Sequence, residues 1–449
     1  MRLLSTTIEA PRTEEQNDKV QLPPQKGLFY RTLRHPLMRP YFRLMVAMIA
    51  LNIYVFSQIT ESLSFLDHGL SVDTLGKMAL VNFLVGAFFR QQWVVNTLFR
   101  IATSVPKSFP LSVRWACGKV YHFGGIHIGT FFAGSVWHFM TTAQLLIQPT
   151  YVMNMPVATR YTALIIAVVL MAMMIVALPQ IRHKHHDLFE RVVRFGLWFV
   201  VYMLWGQLWM VSEFRQIPMY KTTEFFGLLY LTGMIALPWL RLRRVAIDIN
   251  TPSNHVALAN FNYGVTPFAG SSTDLSTNPL LEWHSFANIP SPGEDGFRLT
   301  ISRAGDWTGD LIDKKPKHIW VKGIPAAGVG NIELCFKKVV WVATGSGIGP
   351  CVPHLLDKKV PSRLVWSTRT PEKTYGHALV EEIQQAQQEA MIWDTTAKGK
   401  PDLTQLAYEA YKEFDAEAVI VISNQKTTFK VNYELESRGI PCFGAIWDS

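Results

Sequence analysis

Cysteine is scarce in the 449-residue sequence, and the four cysteines present form no metal-binding or redox spacing. Cys117, Cys335, Cys351 and Cys442 are too far apart for a CxxC motif, which argues against a zinc site and against a disulfide framework. Scattered cysteines of this kind are typical of small buried hydrophobic residues in a reducing compartment. The first 27 residues also lack the apolar core of a signal peptide, so we expect no cleavage and a disordered tail.

Charged residues are few, at 17% of the chain, whereas 49% of the residues are hydrophobic. The net charge is nevertheless +9, and a basic balance of this kind is compatible with nucleic-acid binding. Lys and Arg lie beside the apolar segments, however, and no nucleic-acid motif is present, so membrane topology explains the charge better. We therefore expect membrane lipid as a partner and no nucleic acid.

Most apolar residues lie between roughly 41 and 240, where six segments approach the ~20 residues that a membrane-spanning helix needs. Lys and Arg are concentrated in alternate loops, so the positive-inside rule places both termini in the cytosol. We predict a multi-pass membrane protein with a polar cytosolic tail at 1–40 and a transmembrane helical domain at 41–240. The predicted spans are 41–60, 75–95, 120–146, 158–180, 188–211 and 224–240.

The pattern changes after residue 244 to short alternating strands, such as HVALANF and FRLTISR, separated by Pro, Gly and Asn turns. This pattern is typical of a small antiparallel barrel. From Val339 onward, apolar strands alternate with helical stretches, which indicates an open parallel sheet. The predicted fold is a six-helix transmembrane bundle, then a small antiparallel β-barrel at 245–333 and an α/β nucleotide-binding domain at 334–449.

The strongest motif is VVWVATGSGIGPC, Val339 to Cys351, in which an apolar strand leads into a glycine-rich turn and an amphipathic helix. Glycines let the backbone approach a pyrophosphate, and a helix N-terminus offers it free N–H groups. A glycine turn kept for packing is the alternative interpretation. The candidate nucleotide-binding residues are Gly345, Ser346, Gly347, Gly349 and Pro350.

The next predicted strand ends in STRTPEK, which contains Arg369 and Lys373. In nucleotide-binding folds a basic residue at this point can hold the 2′-phosphate of NADP, whereas an acidic residue favours NAD. We therefore predict NADPH as the reductant. The alternative is that both side chains are ordinary surface charges.

Four motifs in order, WHSF, GDWT, TGSGIGP and an aromatic residue near the C-terminus, resemble the ferredoxin–NADP reductase module. Attached to six helices, this module is similar to the ferric reductase and NADPH oxidase superfamily. LLEWHSFA, ISRAGDWT, VATGSGIGP and SRGIPCFGAIWDS look most like the fungal integral membrane flavoproteins of the TmpA type. The resemblance covers most of the chain and implies FAD as a second cofactor.

The resemblance also assigns residues to FAD. Phe286 would lie against the flavin ring, Thr308 would cap a helix beneath the pyrophosphate, and Trp447 would cover the flavin. Without the resemblance, His284 is an ordinary strand residue and the tryptophans are core residues. The matched positions are His284, Ser285, Phe286, Gly305, Trp307, Thr308 and Trp447.

Two positions depart from the family pattern. The hydroxyl that relatives place near flavin N5 falls at Ala287, and the cysteine beside the nicotinamide falls near Ser423. Alanine cannot donate a hydrogen bond, and serine can do so but offers no thiolate. We therefore keep Ser423 as a cofactor-site candidate and expect hydride transfer to be less efficient.

Haem is the remaining cofactor that the resemblance raises, because ferric reductases carry two histidines on each of two helices. The third predicted helix carries His127 and His138, about 16 Å apart along one face. The fifth has no histidine between residues 188 and 211, and Val193 stands where a ligand is expected. His127 and His138 are therefore weak candidates, and we expect no two-haem relay.

The predicted function is a membrane-bound oxidoreductase that passes electrons from NADPH through FAD to a small-molecule acceptor on the cytosolic side. A lipophilic metabolite and oxygen are both candidate acceptors, and the resemblance implies fungal secondary metabolism or developmental signalling. Two alternatives stay open. One is a haem-containing ferric reductase or oxidase, and the other is a non-catalytic, membrane-anchored regulator that binds flavin or nucleotide.

Overall fold

The computed structural model describes residues 20–62, 71–147 and 155–445. Trp447 and the first 19 residues lie outside these ranges. The helices of the first half are α1 Leu28–Arg34, α2 Pro40–Ser62, α3 Val72–Phe89, α4 Gln92–Thr103, α5 Leu111–Gly118, α6 Gly124–Ile147, α7 Val157–Val176, α8 Pro179–Lys184, α9 His186–Arg215 and α10 Thr223–Leu240.

Six of these helices, α2, α3, α6, α7, α9 and α10, correspond to the six predicted spans. Within the described residues, all except α6 are long and apolar enough to cross a membrane. The prediction of spanning segments is therefore confirmed for five helices, by length and composition. The second segment was predicted too long, because α3 ends at Phe89 and α4 is a separate amphipathic helix.

Helix α6 packs against α2, α3 and α7. Its small residues allow close approach to α2: a Cβ added at Gly129 would lie 2.7 Å from the Met45 carbonyl oxygen. At Gly125 a Cβ would collide with the Tyr41 carbonyl. Small residues spaced by four are the usual means of bringing two membrane helices into backbone contact. The glycines therefore fix the α2–α6 packing.

Helices α4 and α5 join the helical half to the strands that follow it. The Gln92 side-chain oxygen accepts a hydrogen bond from Ile324 N–H, at 2.8 Å. The Asn96 amide accepts from Ala327 N–H and donates to the Pro325 carbonyl, at 2.8 and 3.0 Å. These two side chains pair with backbone N–H and C=O groups at the end of a long strand. Helix α4 thereby satisfies backbone groups that a neighbouring strand would otherwise bind.

The antiparallel strands form two sheets. The four-stranded sheet has the order β1-β7-β4-β5 and the three-stranded sheet the order β2-β3-β6. Between them the described residues show an isolated bridge, Ile289 to Arg298, and no closed barrel, so the predicted closure is corrected to two open sheets. The strands are β1 Arg243–Ala246, β2 Asp248–Asn250, β3 Val256–Phe261, β4 Ser271–Ser276, β5 His284–Ala287, β6 Phe297–Ser302 and β7 His318–Ala327.

The C-terminal part is a five-stranded parallel sheet of order β10-β9-β8-β11-β12, flanked by helices. Its central strands are buried runs of apolar residues, as expected for a sheet covered on both faces. The elements are α11 Asp306–Lys314, β8 Val339–Thr344, α12 Ile348–Asp357, β9 Ser362–Thr368, α13 Pro371–Tyr375, α14 His377–Ala386, β10 Met391–Asp394, α15 Thr395–Lys398, α16 Leu403–Glu413, β11 Ala418–Ile422, α17 Gln425–Glu436 and β12 Cys442–Gly444.

The segment before α2 contacts α17 and the residue that follows it. Lys26 N–H donates a hydrogen bond to the Ser437 carbonyl at 2.9 Å, and the His35 ring packs edge-on against Tyr433 at 5.6 Å. The segments before α2 and after β11 are therefore in direct contact.

The cysteines behave as buried apolar residues. All four are free thiols; Cys335, Cys351 and Cys442 are buried and Cys117 is half-buried. Burial raises the pKa of Cys335 to about 12. A thiol with so high a pKa is protonated at neutral pH and is a poor nucleophile.

Candidate functional site

The parallel sheet has a topological switch between β8 and β11. From β8 the chain proceeds outward through β9 and β10, then crosses back to β11 on the other side of β8. In open α/β sheets, ligands bind outside the carboxyl ends of the strands at such a switch. The glycine turn follows β8 and Ser423 follows β11, so both lie at this point.

The glycines of the turn have different local requirements. Gly345 has φ +51°, in the left-handed region that glycine tolerates best. A Cβ at Gly347 would collide with the Ile422 carbonyl, so this glycine is needed for packing against β11. Helix α12 begins at Ile348, whose N–H donates to the carbonyls of Gly345 and Ser346, so the N–H groups without a helical partner are those of the turn itself. The packing alternative therefore applies to Gly347, whereas Ser346 is exposed and its turn could face an anion.

Two polar contacts hold the turn in place. The hydroxyl oxygens of Thr344 and Ser423 are 2.5 Å apart, which ties the ends of β8 and β11 together. Beneath the turn, Trp366 donates its indole N–H to the Gly345 carbonyl at 2.9 Å, and its ring packs edge-on against Tyr375. Sequence analysis missed Trp366 and Tyr375 because nothing local marks them as the floor of this turn.

Arg369 and Lys373 lie at the same carboxyl edge. Arg369 follows the last residue of β9, Lys373 lies in α13, and both side chains are exposed. No ion pair is found for either within the described residues. Their charges are therefore available to a phosphate at this edge.

The residues assigned to flavin come together on the antiparallel half. The His284 ring stacks on Trp307, with centroids 4.2 Å apart, and Phe286 stacks on the same indole at 5.8 Å. The Trp307 N–H donates to the Thr277 hydroxyl at 3.2 Å. Ser285 alternates to the other face and is exposed. The result is a three-ring stack at β5, the edge strand of the four-stranded sheet.

His284 carries a polar atom that the protein leaves unsatisfied. Its Nε2 is buried and has no hydrogen-bond partner within the described residues. Burial lowers the pKa of His284, and the nearby carboxylate of Glu282, 3.8 Å away, only partly opposes this effect. A neutral imidazole with one free nitrogen can accept or donate one hydrogen bond to a bound group.

The predicted helix beneath the pyrophosphate is present as α11, and Gly305 precedes it. The Ala304 and Gly305 N–H groups donate to the Thr308 hydroxyl at 2.8 and 3.0 Å. Gly305 is exposed, and a Cβ added there would meet no atom within 4 Å. Open space in front of a helix N-terminus suits a phosphate.

The residues therefore fit both cofactors in chemistry. A free imidazole nitrogen, an aromatic stack and an open helix N-terminus are compatible with FAD, and a second helix N-terminus with two exposed cations is compatible with NADPH. The parallel and antiparallel parts touch beside the glycine turn, because a Cβ at Gly349 would lie 3.4 Å from Thr300 on β6. Ala287 pairs with Ser272 in the β5–β4 ladder and contributes no hydroxyl, and Trp447 lies outside the described residues.

The haem candidates lie in two separate cavities of the helical half. His127 Nδ1 is 2.9 Å from the Gly86 carbonyl and must donate to it, which leaves Nε2 as an acceptor. In His138 it is Nε2 that is hydrogen bonded, to the Ala163 carbonyl at 3.1 Å. Val193 packs in an apolar cluster with Leu170. No group of three or more His, Cys, Asp or Glu side chains suited to a metal ion occurs in the described ranges.

Comparison with known proteins finds similarity to adenylate-forming reductases. The C-terminal domain of adenylate-forming reductase 03009 matches residues 329–449. Adenylate-forming reductases 03009 and 06235 of Coprinopsis cinerea are 39% and 40% identical to the chain over 432 residues, which cover 94% of it. The chain spans 42% of the length of either relative.

Solved structures resemble slightly less than half of the chain. The ferredoxin–NADP⁺ reductase of Neisseria gonorrhoeae, with bound FAD and NADP, covers 46% of this chain and 98% of its own, at 13% identity and a TM-score of 0.38. Phthalate dioxygenase reductase covers 45% and 67%, at 17% identity and a TM-score of 0.34. Sequence identities and TM-scores this low do not assign any residue of this chain to a cofactor.

Proposed function

We propose that this protein is a membrane-bound oxidoreductase that passes electrons from NADPH through FAD to a small-molecule acceptor. The observation that carries the proposal is the convergence of two groups of residues. The glycine turn, Ser423 and Arg369 meet at the switch point of the parallel sheet, and the His284–Trp307–Phe286 stack lies on the adjoining antiparallel half.

Each residue then has a defined task. The N-terminus of α12 and Ser346 would bind the NADPH pyrophosphate, and Arg369 with Lys373 would bind the 2′-phosphate. His284 Nε2 would hydrogen bond to FAD, whose phosphates would face Gly305 and the N-terminus of α11. When bound, FAD accepts a hydride from NADPH and passes its electrons on.

The names of the relatives support reduction as the chemistry, since both are called reductases. We also propose that the chain is a cytosol-facing member of the TmpA-like group, acting in fungal secondary metabolism or developmental signalling. Five helices of membrane-spanning length and composition among the described residues support this placement.

An absorption spectrum of the detergent-purified protein, first oxidised and then mixed with NADPH, tests the proposal. We expect flavin bands that bleach on NADPH addition, and consumption of NADPH when an acceptor is supplied. Protein that binds no flavin after incubation with FAD, and that oxidises no NADPH, would overturn it.

Two other candidates make different predictions for the same spectrum. A haem enzyme, suggested by the free Nε2 of His127, would give b-type bands after dithionite reduction. A non-catalytic regulator, suggested by Ala287 and by the Ser423–Thr344 bond, would bind both cofactors without turnover.

A further inference from the structure

A cavity of about 280 Å³ lies in the helical half, at the end nearest the antiparallel sheets. No aspartate or glutamate in the described part of the chain lines it, whereas three basic side chains, Arg90, Arg194 and Lys322, do. The walls between α3, α6, α7, α9 and α10 are otherwise largely apolar, with Phe83, Phe131, Leu170, Leu197, Trp198 and Leu231 among the lining residues.

Lys322 is the most unusual of these cations. Its ammonium lies 4.2 Å from the Trp283 ring centroid and 5.5 Å from that of Trp239, and no carboxylate of the described chain is within salt-bridge distance. Asp274 faces it from β4 without reaching it. Burial lowers the pKa of Lys322, and the attraction of Asp274 only partly opposes this. A half-buried ammonium without a carboxylate partner is costly unless an anion joins it.

The other polar groups at this end are largely occupied. Arg194 donates to the Leu280 carbonyl at 3.1 Å and to the Glu190 carboxylate at 3.0 Å. Gln91 donates to the carbonyls of Ala87 and Met234, both at 3.1 Å. Arg90 also lines the cavity, is exposed and has no ion pair among the described residues. Lys322 is therefore the half-buried cation of the cavity that no carboxylate neutralises, and its charge matches a single negative charge.

The volume of the cavity limits the size of the apolar group that an anionic ligand can place inside it. Ligand pockets for drug-sized molecules enclose ~300–1,000 Å³, so about 280 Å³ has room for one chain or ring system. Apart from its cations and Gln91, the polar side chain in the lining is His127, whose Nε2 is left as a hydrogen-bond acceptor.

We infer that this cavity binds a single-chain lipophilic monocarboxylate, with the carboxylate at Lys322 and the chain between α3, α9 and α10. The inference that the ligand binds rests on the cavity alone. The identification of this ligand as the electron acceptor rests on the proposed function. Lys322 lies in the same sheet as the residues assigned to flavin. Lys322 lies opposite Asp274 on β4, and Asp274 lies opposite Ser285 on β5.

The test measures binding of 11-bromoundecanoate to the detergent-purified full chain through quenching of tryptophan fluorescence. Trp198 and Trp239 line the cavity, so a brominated chain inside it is expected to quench their fluorescence. We expect saturable quenching by the acid, and at least about tenfold weaker quenching by 11-bromo-1-undecanol, which has the same chain and no charge. Equal affinity for both compounds would overturn the inference.

Variants separate a site from a general affinity for detergent-like molecules. Lys322→Gln is expected to weaken binding of the acid by about tenfold or more and to leave the alcohol unchanged, because it removes one charge-assisted contact. Lys322→Arg is expected to restore most of the binding. Lys398→Gln, at an exposed lysine over Trp393, is the matched control. Unchanged acid binding by Lys322→Gln with a native melting temperature would overturn the inference.

Two further measurements test whether a phospholipid or haem occupies the cavity instead. If phosphatidylglycerol in nanodiscs displaces the acid while phosphatidylcholine does not, the site belongs to an anionic phospholipid and the inference fails. If the purified protein contains haem and the acid does not quench, haem occupies the cavity and the inference also fails. Quenching without NADPH oxidation supports the inference and contradicts the proposed redox function, and oxidation without quenching does the reverse.

Discussion

Arg114 and Glu417 form a bidentate ion pair, with nitrogen–oxygen distances of 2.5 and 2.8 Å. Arg114 lies in α5, in the connection between two long helices, and Glu417 immediately precedes β11 of the parallel sheet. The same guanidinium donates to the Cys335 carbonyl, and the same carboxylate accepts from Lys337 N–H. The pair is therefore a fully hydrogen-bonded link between the helical half and the parallel-sheet part.

Glu417→Gln is expected to destabilise this link. It leaves the Arg114 guanidinium, only 4% exposed, without its counter-charge, and breaking such a buried pair costs about 3 kcal/mol. A thermal unfolding series in detergent measures the loss. Asp313→Asn is the matched control, since its pair with Arg303 is exposed, and we expect no measurable change from it. Equal effects of the two substitutions would contradict the assignment.

The same pair makes stability depend on pH in the acid range. Burial opposes ionisation of Glu417, but hydrogen bonds from Arg114 and Lys337 outweigh it and lower the pKa below the usual 4.5. A carboxylate with a lowered folded-state pKa contributes stability above its unfolded pKa and loses it as pH falls through the folded pKa. We expect the melting temperature of the wild type to fall below pH 4.5 more steeply than that of Glu417→Gln. Parallel curves would show that another group titrates.

Gly129→Ala tests the contact between α2 and α6. The new methyl group would lie 2.7 Å from the Met45 carbonyl oxygen and 2.8 Å from Met48 Cβ, so the helices must separate, at a cost of about 1–3 kcal/mol. Gly206→Ala, in the middle of α9 with no atom within 4 Å of the new Cβ, is the control. It should be neutral or stabilising by up to about 1 kcal/mol. Resistance to detergent-induced unfolding reports both.

The parts of the fold that local pattern determines could be predicted from the sequence. The strand, glycine turn and helix at residues 339–357 were predicted and are present, because a buried strand and an amphipathic helix each have a distinct period. Strand β4, Ser271–Ser276, was missed because SSTDLS has no apolar alternation and is a strand only through pairing with β5 and β7. The barrel closure was wrong because it depends on pairing between distant strand edges.

Some residues of the candidate site could likewise be predicted from the sequence, and others could not. Motif residues such as Trp307 and Gly345 could be named from sequence, because their neighbours along the chain identify them. The contact of Lys322 with Trp283 and Trp239 could not, since it joins a strand, the segment before β5 and the end of a membrane-type helix. Such tertiary contacts leave no local period in the sequence.

Gly347→Ala is expected to disrupt the nucleotide edge of the sheet. The methyl group would collide with the Ile422 carbonyl, and because Ser423 follows directly, the bond between Thr344 and Ser423 would be strained. We expect a lower melting temperature and weaker binding of NADP⁺, measured by calorimetry. Gly349→Ala, whose Cβ would make an ordinary 3.4 Å contact with Thr300, should keep the wild-type melting temperature. A stable Gly347→Ala protein would show that the turn can move away from β11.

Arg369→Ala tests the choice between NADPH and NADH. If Arg369 binds the 2′-phosphate, its loss removes one or two charge-assisted hydrogen bonds, each ~1.5–3 kcal/mol, so the KM for NADPH should rise at least about tenfold. NADH has no 2′-phosphate, so its KM should hardly change. Lys412→Ala removes an exposed charge near the opposite edge of the sheet, where β11 begins, and should alter neither value. An equal rise of KM for both nucleotides would assign Arg369 to the shared pyrophosphate instead, and no change for either would leave it as a surface charge.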